Sequence, residues 1–352
     1  MLKTPSRARK KLSTQSPARA LAITLVLVAL AHLPNTPRAM AQTPAPLLPS
    51  QPQLTPQSQC TDIDLTRPGG SMHCQPIYNQ RRPDSTVPDA AICYAIAATE
   101  VWDAYRWNER GTTTADCDTF ETSSPVHAAA QYTLTNPSAR QDLAWGFENP
   151  TFNELAYHGG CRASALHSNP SEVWAAAAYA LIGDPSLALG YLDNPSHRCP
   201  TETAHTPISD TEWARTLIQL CDLPGARVPR LADTPMMTTH YATRGNARSD
   251  IIHRQLERGL PAAIVHGSNL AAAAAQFESG APGVLWQNEH WRQTANYGVN
   301  HATVIVARAW RGGECQFRIR DSYGQNTHTL GEFWVRESLL ADWLTRVLEV
   351  QN

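Results

Sequence analysis

The side chain best suited to nucleophilic chemistry in this sequence is a cysteine, Cys93, at the mouth of the Ala-rich run "DAAICYAIAATEVWDAYR" (89–106). Pro88 and then Asp89, a good N-cap, lead into it, and Ile92, Ile96, Val101 and Trp102 are spaced for a partly buried helix. Cys93 then falls in the first turn, where free amide N–H groups and the positive end of the helix dipole favour a thiolate. The negative charge of Asp89 works weakly in the opposite sense. A thiolate that attacks acyl carbon needs an imidazole partner, normally remote in sequence. Among 13 histidines, His301 is set apart by its surroundings: a β-branched run to Val306, a Gly312-Gly313 turn and the segment "CQFRIRDSY" read as a β-hairpin. His301 and Asp321 lie toward its open end on strands about 5 Å apart. Such a pair suits a base oriented by a third polar group.

Cysteine arithmetic leaves the role of Cys93 open. In an exported chain the eight cysteines default to disulfides, which would make Cys93 structural. Setting it aside leaves an odd number, so a further thiol would be free or paired between molecules. No CxxC or HExxH spacing occurs, and neither a metal site nor a cofactor is expected.

These residues need elements to position them. The chain opens with Lys3, Arg7, Arg9, Lys10, Lys11 and Arg19, continues through the apolar "ALAITLVLVALAHL" (20–33) and reaches "AMAQ". This predicts a Sec-type signal peptide, residues 1–41, cleaved after Ala41, and a periplasmic or extracellular product. The apolar run is shorter than the roughly 20 residues that span a bilayer, so no stable membrane anchor is expected. Residues 1–41 carry seven of the 29 Lys and Arg and none of the 31 Asp and Glu, leaving 22 basic against 31 acidic groups. That acidic balance argues against nucleic acid or an anionic membrane as partner. Residues 42–59 are Pro-rich and read as a linker or short pro-segment; residues 60–352 form the folded domain. Helical runs such as "PVHAAAQYTL" and "PSEVWAAAAYALI" fill the span 89–220, and β-branched segments fill 250–335. Residues 190–250 read as loop. "RESLLADWLTRVLEV" carries the apolar stripe of a terminal helix.

At this point a resemblance enters. "CYAIA", then "NHATVIV", then "RDSYG" one strand on, resemble in this order the Cys-Trp-Ala-Phe, Asn/Asp-His-Ala-Val and Asn-Ser-Trp-Gly motifs of the papain-type cysteine peptidases. Upstream, "PIYNQ" (76–80) is similar to the family's Pro-Val-x-Asn-Gln, and "SSPVHAAAQY", "HGGCRASAL" and "LERGLPAAIVH" resemble weaker landmarks. The likeness spans roughly residues 75–350. It implies an α+β, papain-like two-lobe fold, with a helical lobe (about 89–245) facing an antiparallel β lobe (about 246–352 plus the N-terminal segment) and the site in the cleft. It implies Cys93 as nucleophile, His301 as its ion-pair partner, Asp321 as the group that holds the imidazole, and Gln80 as an oxyanion donor. Gly159 and Gly160 match glycines that bind substrate backbone, and small Ala302 leaves room for a bulky apolar residue next to the scissile bond. The implied activity is hydrolysis of peptide or protein substrates through a thioester, by a monomer.

Departures from the pattern are definite. Asp321 stands where the family usually has Asn, and Tyr323 where it has Trp. Gln80 lies 13 residues before Cys93, a longer interval than the family's, so "RRPDSTVPD" would be an inserted loop. Ala90 replaces a disulfide cysteine of many members, so their bridges do not transfer. Only about 50 residues separate Ala41 from Cys93, most of them Pro-rich or part of the fold, which favours inhibition by a separate protein, or none, over a folded pro-domain. Two other readings stay open: a secreted thiol amidase acting on cell-wall peptides, and a non-catalytic papain-like protein that binds peptides or proteins.

Overall fold

The computed structural model describes residues 54–78, 92–111, 117–136, 146–163, 210–222, 224–243, 246–267, 270–278, 300–322 and 331–351. The expected signal peptide, Gln80, Cys199 and Tyr323 lie outside them. The fold is α+β, built on an antiparallel sheet.

The sheet places β4 (Met236–Tyr241), β9 (Leu344–Gln351), β5 (Ala262–Gly267), β6 (Asn300–Arg311), β7 (Glu314–Arg320) and β8 (Glu332–Arg336) in that order, with β1 (Ile63–Asp64) also pairing with β6. A separate two-stranded ribbon joins β2 (Gly160–Cys161) to β3 (Arg227–Val228). β5 is buried at every position, and so is β6 from His301 to Arg308. That burial of both faces explains why they read as continuous apolar runs and not as alternating ones. β6 and β7 form the predicted hairpin. Gly312 (φ 59°) and Gly313 (φ 87°) supply the two positive-φ positions that a tight two-residue turn needs.

α1 (Cys93–Glu109) packs against α2 (Pro125–Thr135), α3 (Glu148–His158) and strands β5 and β6. Its alanines allow close approach on several sides, and every residue from Tyr94 to Trp107 is buried, Thr99, Glu100, Asp103 and Arg106 included. The helix is therefore central and not amphipathic. Among the polar groups it buries, Asp103 accepts from Ser123 N, Ser123 Oγ and Arg106 Nη1, each at 2.7 Å. α2 starts on a sequence signal, Ser124 as N-cap with Pro125 at the first position. The start of α1 differs from expectation. The residue flanking the helix is Ile92, which makes no side-chain cap, and the expected cap Asp89 lies outside the described residues.

Two other expectations are corrected. The span 190–250, read as loop, contains α4 (Asp210–Cys221), β3 and β4, and α5 (Ser249–Glu257) begins at its end. α4 packs on α2 and is bridged to β2 through Cys161–Cys221. β4 pairs with β9 along its whole length, so a strand from the span assigned to helices belongs to the main sheet. The terminal stripe is a short helix, α7 (Glu337–Trp343), and then β9. β9 is bounded by β4 on one side and β5 on the other, so a helix there would leave two strand edges unpaired. That tertiary demand outweighs the helical spacing of Leu344, Val347 and Leu348. The last helix of the described set, α6 (Leu270–Glu278), packs against β8 and α7.

Among the described residues there are three disulfides: Cys60–Cys315, Cys74–Cys117 and Cys161–Cys221. No helix among the described residues is long and apolar enough to cross a membrane. Within the expected linker, Thr55 is tied down by a chain of donors. Arg308 Nη1 donates to His253 Nδ1 (2.5 Å), His253 Nε2 to Thr55 Oγ1 (2.9 Å), and Thr55 Oγ1 to Glu337 Oε1 (2.8 Å).

Candidate active site

Cys93 is the first residue of α1 and is not in a disulfide. Its side chain is partly exposed and packs against the core. Ala95 and Ile96 both donate their N–H to Ile92 O (2.9 and 3.0 Å), a tight first turn that places Cys93 at the positive end of a 17-residue helix.

The hairpin register explains how His301 meets Asp321. Ile305 faces Ile319, and side chains alternate, so His301, Thr303, Ile305, Ile319 and Asp321 share one face. Asp321 follows β7 and is held by its N–H on Gly331 O (2.8 Å). It sits diagonally from His301, a separation that two side chains can span, and His301 Nε2 donates to Asp321 Oδ1 at 2.7 Å. Both groups are buried. The second ring nitrogen, Nδ1, is the one that remains to act on Cys93, whose interaction with the ring contributes to the His301 pKa.

Burial alone would lower the His301 pKa. The hydrogen bond to Asp321, the interaction with Cys93 and the charge of Asp321 outweigh it and raise the pKa to about 9. The imidazole is thus held as imidazolium through neutral pH. Glu100, two turns into α1, is its counterpart: burial raises its pKa to about 8 against the pull of Arg320, with Glu332, Asp103 and Asp321 adding. A protonated Glu100 adds no charge at pH 7, so it does not add to the charges of Cys93 and Asp321 that act on His301. Glu148, first residue of α3, is close enough to feel His301; burial raises its pKa, opposed by Arg346 and His301. Its carboxylate pairs with Arg346 of β9 at 3.0 Å.

The other expected residues fall elsewhere. Gln80 is outside the described residues, but Tyr78 before it is anchored, its hydroxyl donating to Ser123 O (2.9 Å) beside the Asp103 cluster. Gly159 ends α3 with φ 79°, and a Cβ there would meet Val228 O at 2.7 Å. Gly160 pairs with Val228, and a Cβ on it would meet Ser123 Oγ at 2.7 Å. These neighbours account for both glycines as parts of the turn into the ribbon. Ala302 points to the face opposite His301, across from Val265, and is 2% exposed. Sequence reasoning missed His266, the residue of β5 that directly faces His301. Its only signal was a histidine closing the apolar strand "AAIVH". A His73, Cys74 and Cys117 cluster has metal-like spacing, but the two sulfurs are bonded to each other and so are not thiolate ligands.

No protein-family model matches the chain, and no curated protein matches it in sequence. Solved structures are similar to it at low identity and low score. Digestive procathepsin L 3 of Tenebrio molitor larval midgut is 12% identical over 87% of this chain and 73% of its own, with a TM-score of 0.46. A mite-allergen structure, from work on Blo t 1 and Der p 1, is 13% identical over 85% of this chain and 71% of its own, at 0.46. A recombinant stem bromelain precursor is 12% identical over 84% and 70%, at 0.43. With scores this low the functional reading rests on the residues themselves.

Proposed function

We propose that the protein is a secreted, papain-like cysteine peptidase that hydrolyses peptide bonds with Cys93, His301 and Asp321. The observation that carries the reading is a cysteine outside any disulfide, at a helix N-terminus, that interacts with a buried histidine whose Nε2 donates to a carboxylate at 2.7 Å. In this reading the Cys93 thiolate attacks the scissile carbonyl carbon, and the C=O electron pair moves to oxygen as a tetrahedral oxyanion. Gln80 and the Cys93 N–H donate to that oxygen. The intermediate collapses to a thioester as the C–N bond breaks, and His301 Nδ1–H protonates the departing amine. Neutral His301 then takes a proton from water, whose oxygen attacks the thioester; the C–S bond breaks, the acid product leaves and the Cys93 thiolate with protonated His301 is restored. Asp321 accepts from Nε2 throughout and stabilises the imidazolium. Gly159 and Gly160 would contact substrate backbone. Export is supported by the disulfides and by the leader-like first 41 residues.

The test is alkylation of the mature chain, from Gln42, by iodoacetamide or an epoxysuccinyl probe across pH, with peptide mapping. Rapid modification of Cys93 that persists well below pH 7 and collapses in His301→Ala supports an activated thiolate, and cleavage of a peptide library supports the peptidase. Activity on cell-wall peptides alone would favour the amidase reading. A Cys93 that reacts only at alkaline pH, as an ordinary thiol, would leave a peptide-binding protein.

A further inference from the structure

His266 is a buried histidine that this mechanism does not use. It lies on β5 directly opposite His301 on β6, and the two rings stand edge to face, 5.5 Å between centroids at 88°. Both of its nitrogens are engaged: Nδ1 with Gly267 O at 2.8 Å, and Nε2 with Thr303 Oγ1 at 3.0 Å. A carbonyl only accepts, so Nδ1 carries the proton and Nε2 accepts from the Thr303 hydroxyl. Thr303 is also buried and shares a face with His301, two residues on along β6.

An apolar side chain would fill this site without the cost of burying an imidazole, which the two hydrogen bonds only offset. We propose that His266 is a positioning residue for His301. Locked by Gly267 O and Thr303, it presses edge to face on the His301 ring and keeps that ring aligned with both Cys93 and Asp321. The inference rests on the peptidase reading.

Electrostatics agree with that geometry. The charged and titratable groups around His266 and His301 are Cys93 on α1, Asp321 after β7, and Glu148 of α3 with its partner Arg346 on β9. Burial first, and then the positive His301, lower the His266 pKa to about 4. Between about pH 4 and pH 9 the positioning ring is therefore neutral while His301 is charged, and the close approach of the two rings does not set cation against cation. Rotation of His301 about its ring axis would break the Asp321 bond and disturb the packing on His266. Removing either restraint frees the other.

The test uses the mature protein, its His266→Leu and Thr303→Val variants, and the pH dependence of Cys93 alkylation by an epoxysuccinyl probe, whose ring-opened oxygen takes the His301 proton. The wild type is expected to show a reactive window closed on the alkaline side by loss of the His301 proton. In both variants that limb should move down by roughly one pH unit as the Asp321 bond loosens, more in His266→Leu. On a peptide substrate kcat should fall by about tenfold with KM little changed. Thermal melting identifies folded variants, and Thr303→Val, which keeps the ring, carries the test if His266→Leu does not fold. Folded variants with the wild-type limb and kcat would overturn the positioning role alone. A wild-type Cys93 that behaves as an ordinary thiol would overturn both readings together.

Discussion

At the scale of single residues, the charge on Asp321 is what separates this site from one with a neutral amide in the same place. Asn in its stead can still accept from His301 Nε2, so orientation survives while the coulombic support is lost. Asp321→Asn is therefore expected to lower the His301 pKa from about 9 and shift the alkaline limb of Cys93 alkylation downward, which a pH series of rates would measure. Stability changes with a definite sign. The folded-state pKa lies above the unfolded value near 6.5, so the stabilisation is fully present below pH 6.5 and is lost as pH rises through 9. In Asp321→Asn the loss should occur over a narrower and lower range, visible in denaturant midpoints between pH 6 and pH 10. Cys93, His301 and Asp321 can be picked out of the sequence because each has a local signature: a helix start, a hairpin strand and a strand end. His266 cannot, because its role exists only through the pairing of β5 with β6, and register is invisible before the strands are placed.

Elements divide along the same line. The hairpin β6–β7 is legible because β-branched residues and Gly312-Gly313 specify it locally, and α2 because Ser124-Pro125 marks its start. β9 is not, because Leu344, Val347 and Leu348 satisfy a helical period as well as a strand buried on both faces; only the open edges of β4 and β5 decide between them. That placement yields a prediction that a docked terminal helix would not. Ending the chain at Trp343 removes an internal strand from the sheet and is expected to give insoluble or unfolded protein, scored by soluble yield and circular dichroism. A stable, soluble product with the native spectrum would contradict the assignment.

For the whole molecule, the N-terminal segment and the hairpin are parts of one closure. Cys60–Cys315 joins residues 255 apart in sequence, β1 pairs with β6, and Thr55 donates directly to Glu337 while accepting from the Arg308–His253 chain. Replacing both cysteines, Cys60→Ala with Cys315→Ala, is expected to cost about 2–5 kcal/mol of stability, read by denaturant unfolding. Cys93 alkylation of the still-folded protein at 25 °C should be unaffected, because the bridge lies at the turn end of the hairpin and His301 at the other. The cysteine count alone could not say which thiol stands apart, since eight sulfurs permit Cys93 to be bridged as readily as free.

The burial of the sulfurs sets the redox conditions under which this protein can work. Cys60, Cys161, Cys221 and Cys315 are buried, whereas Cys93, Cys74 and Cys117 are only partly so. A reductant strong enough to rescue an oxidised Cys93 therefore meets Cys74–Cys117 before the other two bridges, and an oxidant meets Cys93 first. The usable range is bounded on both sides: too oxidising and the Cys93 thiol is consumed, too reducing and the bridge from Cys74 to the segment after α1 opens.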